Sequence, residues 1–270
     1  MDQNDTLKIA ILDSGAGALP IFERLQQGQP HIPLIWICDN RARPYGNKPE
    51  STLKARVLKL IQQTQEKHHL SLIVIACNTA STVVLDYIRS HVTVPVVGVV
   101  PALKPAASIT KNNRIGLLAT PATINRPYID DLIGKYAPHC QVIRWGSTEL
   151  VNLAEDKLLG LKPDLSKIKE IIKPLLTTKG GEPDTIVLGC THFPLLISEF
   201  KAVTSDEISW VDSCDAIYQR ILSLRPTSRT TEDPPSSNYV IFTKRITIDE
   251  SYRRVFDKYR ITNYEFLPPS

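Results

Sequence analysis

The sequence predicts an α/β fold of two similar domains, each a mostly parallel sheet flanked by helices. Three observations carry the prediction. Short β-branched runs recur along the chain, amphipathic helical patterns separate them, and the opening strand and turn are echoed roughly 110 residues further on. Strands are expected at 8–12 (KIAIL), 34–38 (LIWIC), 72–76 (LIVIA), 94–99 (VPVVGV), 114–119 (RIGLLA), 141–145 (QVIRW), 185–189 (TIVLG) and 208–212 (ISWVD). Most are unbroken apolar runs, as strands covered on both faces must be. Between them, Leu53, Val57, Leu60, Ile61 and Thr64 share one helical face, as do Leu165, Ile168, Ile172 and Leu175.

The echo concerns two pairs of segments. KIAILDSGAG from Lys8 and RIGLLATPAT from Arg114 each read as a basic residue, an apolar strand and a turn of small residues. SLIVIACNTAS from Ser71 and DTIVLGCTHFP from Asp184 each read as an apolar strand that ends on a cysteine followed by small polar groups. A repeat of that period is domain-sized rather than a solenoid unit, although buried apolar strands also resemble one another by chance. The expected division is 1–98 with about 210–270 as an N-terminal domain with a C-terminal return, and 99–209 as the second domain. Residues 225–238 (RPTSRTTEDPPSSN) have linker composition; beyond them the tail offers one strand (YVIFT) and one helix around DESYRRVFDKY.

Composition narrows the class of protein. The 270 residues carry 32 basic and 28 acidic side chains, intermixed to a net charge of +4, so no basic block points to nucleic acid. Five cysteines (Cys38, Cys77, Cys140, Cys190, Cys214) form no CxxC pair and no zinc-type cluster with histidine, which fits reduced thiols and no metal. The start, MDQNDTLKIAILDSG, lacks the basic patch of a signal peptide, and no apolar run reaches membrane-spanning length. A soluble, cytoplasmic protein without a membrane partner is expected.

In parallel α/β sheets ligands bind beyond the carboxyl ends of the strands. There the sequence places Asp13 and Ser14, Asp39 and the Pro44-Tyr45-Gly46 turn, Cys77-Asn78-Thr79, Thr120 to Thr123, and Cys190-Thr191-His192. Small donors beside helix N-termini suit a small anionic ligand. A free thiol is only about 3% ionised at neutral pH, so a reactive cysteine needs an acid–base neighbour. Asp13 stands in that position for Cys77 and His192 for Cys190. Each cysteine alone is equally a buried core thiol, DSGAG a capped turn, and PYG a tight turn or a lid. The remaining cysteines and histidines have no such setting.

ILDSGAG, RARPYGNK, ACNTAS, VVPALKPA, LATPAT and GCTHFPLL, in this order and spacing across residues 7–213, resemble the motif set of the glutamate racemases. The resemblance implies two α/β domains with the active site in the cleft between them. It also implies cofactor-independent interconversion of L- and D-glutamate for peptidoglycan, in a protein that forms a homodimer. Carried over by position, Cys77 and Cys190 are the two catalytic thiols, Asp13 assists the first, His192 the second, and Glu155 adds an acid on the second side. Asp13, Ser14, Tyr45, Gly46, Asn78, Thr79, Thr191 and His192 match substrate-binding positions, with Thr120 and Thr123 joining them. The turn Thr120-Pro121-Ala122-Thr123 and the tail beyond Arg225 depart from the family pattern. Three readings compete with it: a racemase of aspartate or another acidic amino acid, a cysteine hydrolase built on Cys190 and His192, and a non-enzymatic protein-binding module, for which the sequence itself carries no motif.

Overall fold

The computed structural model describes residues 8–224 and 235–268. Residues 225–234 of the linker-like stretch and 1–7 of the start lie outside it. The chain divides into two compact units, Met1–Val99 with Cys214–Ser270, and Val100–Ser213. Among the described residues no helix is long and apolar enough to cross a membrane.

The first unit begins with β1 (Lys8–Asp13), α1 (Leu19–Gly28), β2 (Leu34–Cys38), α2 (Glu50–Lys67), β3 (Leu70–Ile75), α3 (Asn78–Arg89) and β4 (Val96–Gly98). Ile9, Ala10, Ile11 and Leu12 of β1 are wholly buried because β1 runs in the middle of the sheet, parallel to β2 and β3. One sheet face packs Ala10, Leu12, Ile35, Ile37, Ile73 and Ile75 against Leu53, Val57, Leu60 and Ile61 of α2 and Ala80, Val84 and Ile88 of α3. The helical face read from the sequence is therefore the core face of α2. Each fully buried aliphatic side chain of this kind stabilises by about 1.5–3 kcal/mol over an exposed one.

The second unit contains α4 (Leu103–Ile109), β5 (Arg114–Ala119), α5 (Pro121–Ile124), α6 (Pro127–Tyr136), β6 (Gln141–Gly146), α7 (Glu149–Leu158), α8 (Leu165–Leu176), β7 (Thr185–Leu188), α9 (Ile197–Val203) and β8 (Ser209–Val211). Its four strands are parallel, in the order β6-β5-β7-β8. Leu118, Ile186 and Leu188 face Ile168, Ile172 and Leu175 of α8, while Ile115, Leu117 and Val187 face α4 and α6. Leu165 departs from its expected face and is 40% exposed. It opens α8 directly after the cap Asp164, whose carboxylate accepts from Ser166 N and Lys167 N, and so lies ahead of the first packed turn.

The chain then returns to the first unit through α10 (Cys214–Leu224), β9 (Asn238–Phe242), α11 (Glu250–Lys258) and β10 (Ile261–Phe266). The complete first sheet is β10-β9-β2-β1-β3-β4, with β9 parallel to β2 and Cys38 opposite Phe242. Asn238 fastens the junction: its Oδ1 accepts from Leu34 N at 2.9 Å and its Nδ2 donates to Tyr259 O at 2.8 Å. The strand β10 was not expected from the sequence. Thr262, Asn263 and Tyr264 are exposed on this sheet edge, so the segment lacks the apolar run by which the other strands are recognised. Without β9 and β10, the two sheets share one strand order, β2-β1-β3-β4 against β6-β5-β7-β8.

Candidate active site

The first group of candidates gathers at the carboxyl ends of β1 and β3. Leu12 pairs with Ile75, and Ala76 N donates to Leu12 O at 2.7 Å, so Asp13 and Cys77 leave neighbouring strands side by side. Asp13 is buried, and its Oδ2 accepts from Gly15 N at 3.2 Å, the local turn that an aspartate here favours. Trp36 Nε1 donates to Gly15 O at 3.1 Å and fixes that turn from β2. Cys77 has extended backbone and caps α3, with its carbonyl accepting from Ser81 N at 2.8 Å. Asn78 and Thr79 form the buried first turn of α3, and Asn78 Oδ1 has no hydrogen-bond partner among the described residues. Ser14 is likewise buried.

Tyr45 departs from the lid reading. It is 1% exposed, packs in the same core cluster as Cys77, and donates its hydroxyl to Asp39 Oδ2 at 2.8 Å. Burial, then the charge and hydrogen bond of Asp39, then the nearby Cys77 and Asp13, push the phenol well above its ordinary pKa, so it remains a neutral donor. With the hydroxyl committed to Asp39, any ligand contact from this turn falls to the backbone amides of Tyr45 and Gly46, which open a 3₁₀ turn at Tyr45–Asn47. Asp39 itself is fully buried and held by Arg56 and Thr243. Neither partner was singled out in the sequence: Arg56 sits within a helix and Thr243 in the tail, and only the fold brings them to Asp39.

The second group lies at the carboxyl end of β7. Cys190 and Thr191 are buried just beyond the strand, followed by a 3₁₀ turn at Phe193–Leu196 rather than by an immediate α-helix. Gly189 precedes Cys190 where a Cβ would come within 2.9 Å of Leu117 Cδ1 and 3.0 Å of Ala119 Cβ, so a side chain there would push this strand end away from β5. Cys190 Sγ lies 3.9 Å from His192 Nδ1, and His192 Nε2 lies 2.9 Å from Glu155 Oε1 on α7. The carboxylate selects a tautomer: with the ring proton on Nε2 directed at Glu155, Nδ1 is the acceptor that faces the thiol. The three groups form a chain of contacts from thiol to imidazole to carboxylate. In the same unit Thr120 caps α5, and its Oγ1 lies 3.0 Å from Thr123 Oγ1.

An Asp/Glu/Hydantoin racemase family profile matches residues 20–221. The chain is 47% identical over 212 residues to the glutamate racemase of Pectobacterium carotovorum, covering 78% of this chain and 74% of that one. It is 48% identical, with the same coverage, to the glutamate racemase of Photorhabdus laumondii. The crystal structure of Escherichia coli glutamate racemase in complex with L-glutamate and the activator UDP-MurNAc-ala superposes with a TM-score of 0.89 at 39% identity, over 97% of this chain and 98% of that one. The chain belongs to the Asp/Glu/Hydantoin racemase family and, within it, to the glutamate racemases.

Proposed function

We propose that this protein interconverts L- and D-glutamate by a two-base mechanism with Cys77 and Cys190 as the catalytic thiols, without a cofactor. The observation that carries the reading is the equivalence of the two cysteines. Each follows the third strand in chain order of a sheet with the same strand order, and each has an acid–base group at hand, Asp13 for Cys77 and the His192–Glu155 pair for Cys190. A hydrolase needs one nucleophile and would leave the second thiol without a role.

Inverting a stereocentre requires loss of a proton from one face and its replacement from the other. In the L-to-D direction the Cys190 thiolate takes the α-proton, the electron pair passes into the α-carboxylate, and the Cys77 thiol protonates the opposite face. Cys190 then holds a proton and Cys77 is the thiolate; proton exchange through His192 and Asp13 resets the pair. The α-proton is far less acidic than a thiol, so fixed donors must stabilise the charge that develops. Backbone amides of the α3 N-terminus, with Ser14, Thr79, Thr120, Thr123 and Thr191, are the donors proposed for the α-carboxylate, where the charge develops, and backbone amides of the Tyr45-Gly46 turn are those proposed for the side-chain carboxylate, whose charge does not change. Asn78 Oδ1, a buried acceptor without a partner among the described residues, suits the ammonium group.

The likeness to a relative that binds L-glutamate favours glutamate over aspartate. That relative's activator, UDP-MurNAc-ala, supports D-glutamate supply to peptidoglycan as the cellular role; a cytoplasmic homodimer is proposed with it on the family resemblance alone. The test is incubation with L-glutamate in D2O without added cofactor. D-glutamate carrying α-deuterium is expected; unchanged optical rotation with no exchange defeats the reading. Faster turnover of aspartate than of glutamate would transfer it to the other amino acid.

A further inference from the structure

We infer that Asp39, clamped by Arg56 and by Thr243 of the C-terminal return, is the positioning residue that sets the Pro44-Tyr45-Gly46 turn beside Cys77 and Asp13 for substrate binding. The inference deepens the proposed function and rests on it. Asp39 is fully buried, and its carboxylate accepts four hydrogen bonds. Arg56 Nε and Nη2 reach Oδ2 and Oδ1 at 2.5 Å each, Tyr45 Oη reaches Oδ2 at 2.8 Å, and Thr243 Oγ1 reaches Oδ1 at 2.6 Å. Asp39 N also donates to Asp13 O at 2.8 Å, and Ala42 N to Asp39 O at 3.1 Å. One residue therefore ties the backbone of the proposed acid, the turn that offers its amides and the tail.

The geometry suits positioning and not proton transfer. Both carboxylate oxygens are saturated by donors held inside the protein, and none is left for a substrate. The bidentate guanidinium keeps the buried charge compensated and planar, so the Tyr45 hydroxyl meets a fixed acceptor. Thr243 adds the second constraint. It follows β9, donates to Asp39, accepts from Arg41 N at 3.1 Å and, through its carbonyl, from Arg41 Nε at 2.9 Å. The loop from Asp39 to Tyr45 is thus pinned at its start and at its far end, with the tail closing the clamp. A chain ending before β9 would retain both thiols and lack this support.

Thr243→Val is the mildest break, because it keeps volume and leaves the Arg56–Asp39 pair intact. Thr243→Ser restores the hydroxyl. Amides that hold a carboxylate equally in the ground and transition states lower KM without raising kcat. Thr243→Val is therefore expected to raise the KM for both glutamate enantiomers about tenfold, with kcat changed less than about threefold. Thr243→Ser is expected to behave as the parent. Hydrogen exchange over residues 40–48 should quicken in Thr243→Val and not in Thr243→Ser. A Thr243→Val protein with parental KM, or a Thr243→Ser protein equally impaired, overturns the inference. If the parent protein does not racemise glutamate, the proposed function fails first; exchange over 40–48 then judges the clamp alone, and unchanged exchange overturns it.

Discussion

The two thiol-bearing strand ends share an architecture and differ in their chemistry. Cys77 and Cys190 follow equivalent strands, β3 and β7, of sheets with one strand order. Around Cys190 the proposed acid–base groups are a chain of side chains, Glu155 to His192 to sulfur. Around Cys77 the proposed group is the buried carboxyl of Asp13, which accepts from Gly15 N, with Tyr45 packed nearby and the Asp39 clamp behind it. The shared strand order sets the two cysteines at equivalent strand ends, and the groups beside them differ. In the proposed mechanism such a difference is tolerable, because two enantiomers that keep their carboxylates and ammonium in place differ chiefly in the face that bears the α-proton.

The comparison breaks most sharply at the thiols. Cys77→Ala and Cys190→Ala should each lower racemisation of glutamate by at least about a thousandfold, measured by circular dichroism of the product, because each removes one of the two proton-transfer groups of the proposed mechanism. A variant of either cysteine that kept near-parental turnover would end the two-base reading and leave the strand-end likeness without a function.

The supporting groups should give smaller and unequal effects. His192→Ala is expected to lower kcat about a hundredfold, and Glu155→Gln about tenfold, since the glutamine amide still meets the ring but no longer balances its charge. Asp13→Asn should cost about a hundredfold on the other side. The enantiomers have equal free energy, so kcat/KM must fall by the same factor in both directions whichever side is altered. Any asymmetry appears only in the separate kcat and KM values. Equal losses for Glu155→Gln and His192→Ala would show the carboxylate to be as essential as the ring.

Much of this arrangement was legible in the residues, for physical reasons that also mark where legibility stops. The strands β1, β2, β3, β5 and β7 announce themselves because strands covered on both faces must be apolar, and α2 because its buried residues recur at the helical period. β10 was silent because an edge strand exposed to water needs no apolar run. The cysteines, Asp13 and His192 stood out because small polar groups directly after an apolar strand have few structural uses. Arg56 and Thr243 did not. Their partner, Asp39, is distant from both along the chain, and a buried ion pair leaves no periodic trace. Tyr45 was placed correctly on the loop, but its burial and its bond to Asp39 depend on that unseen pair.

The smallest difference expected between the units lies where the chain enters the two thiol strands. Before β7, Asp184 accepts from Thr110 Oγ1 at 2.6 Å, Lys111 N at 2.7 Å, Asn112 N at 2.8 Å and Thr185 Oγ1 at 3.0 Å. At the start of β3, the Ser71 side chain donates to Lys8 O at 3.2 Å. Partial burial raises the Asp184 pKa, and the hydrogen bonds from Thr110, Asn112 and Lys111 outweigh that, holding the carboxyl below its ordinary value. A depressed carboxylate contributes stability that is present above its unfolded pKa, about 3.9, and is lost as pH falls through the folded value. Asp184→Asn should therefore destabilise by about 1 kcal/mol at pH 7, discounted for partial exposure, and the deficit should shrink as the pH is lowered below about 4. Ser71→Ala should cost about 0.5 kcal/mol, with no such pH dependence. Urea titrations of both variants at pH 7 and pH 3 check the pair. A deficit for Asp184→Asn that persisted undiminished at pH 3 would mean that the shape of the side chain, and not its charge, secures the entry to β7.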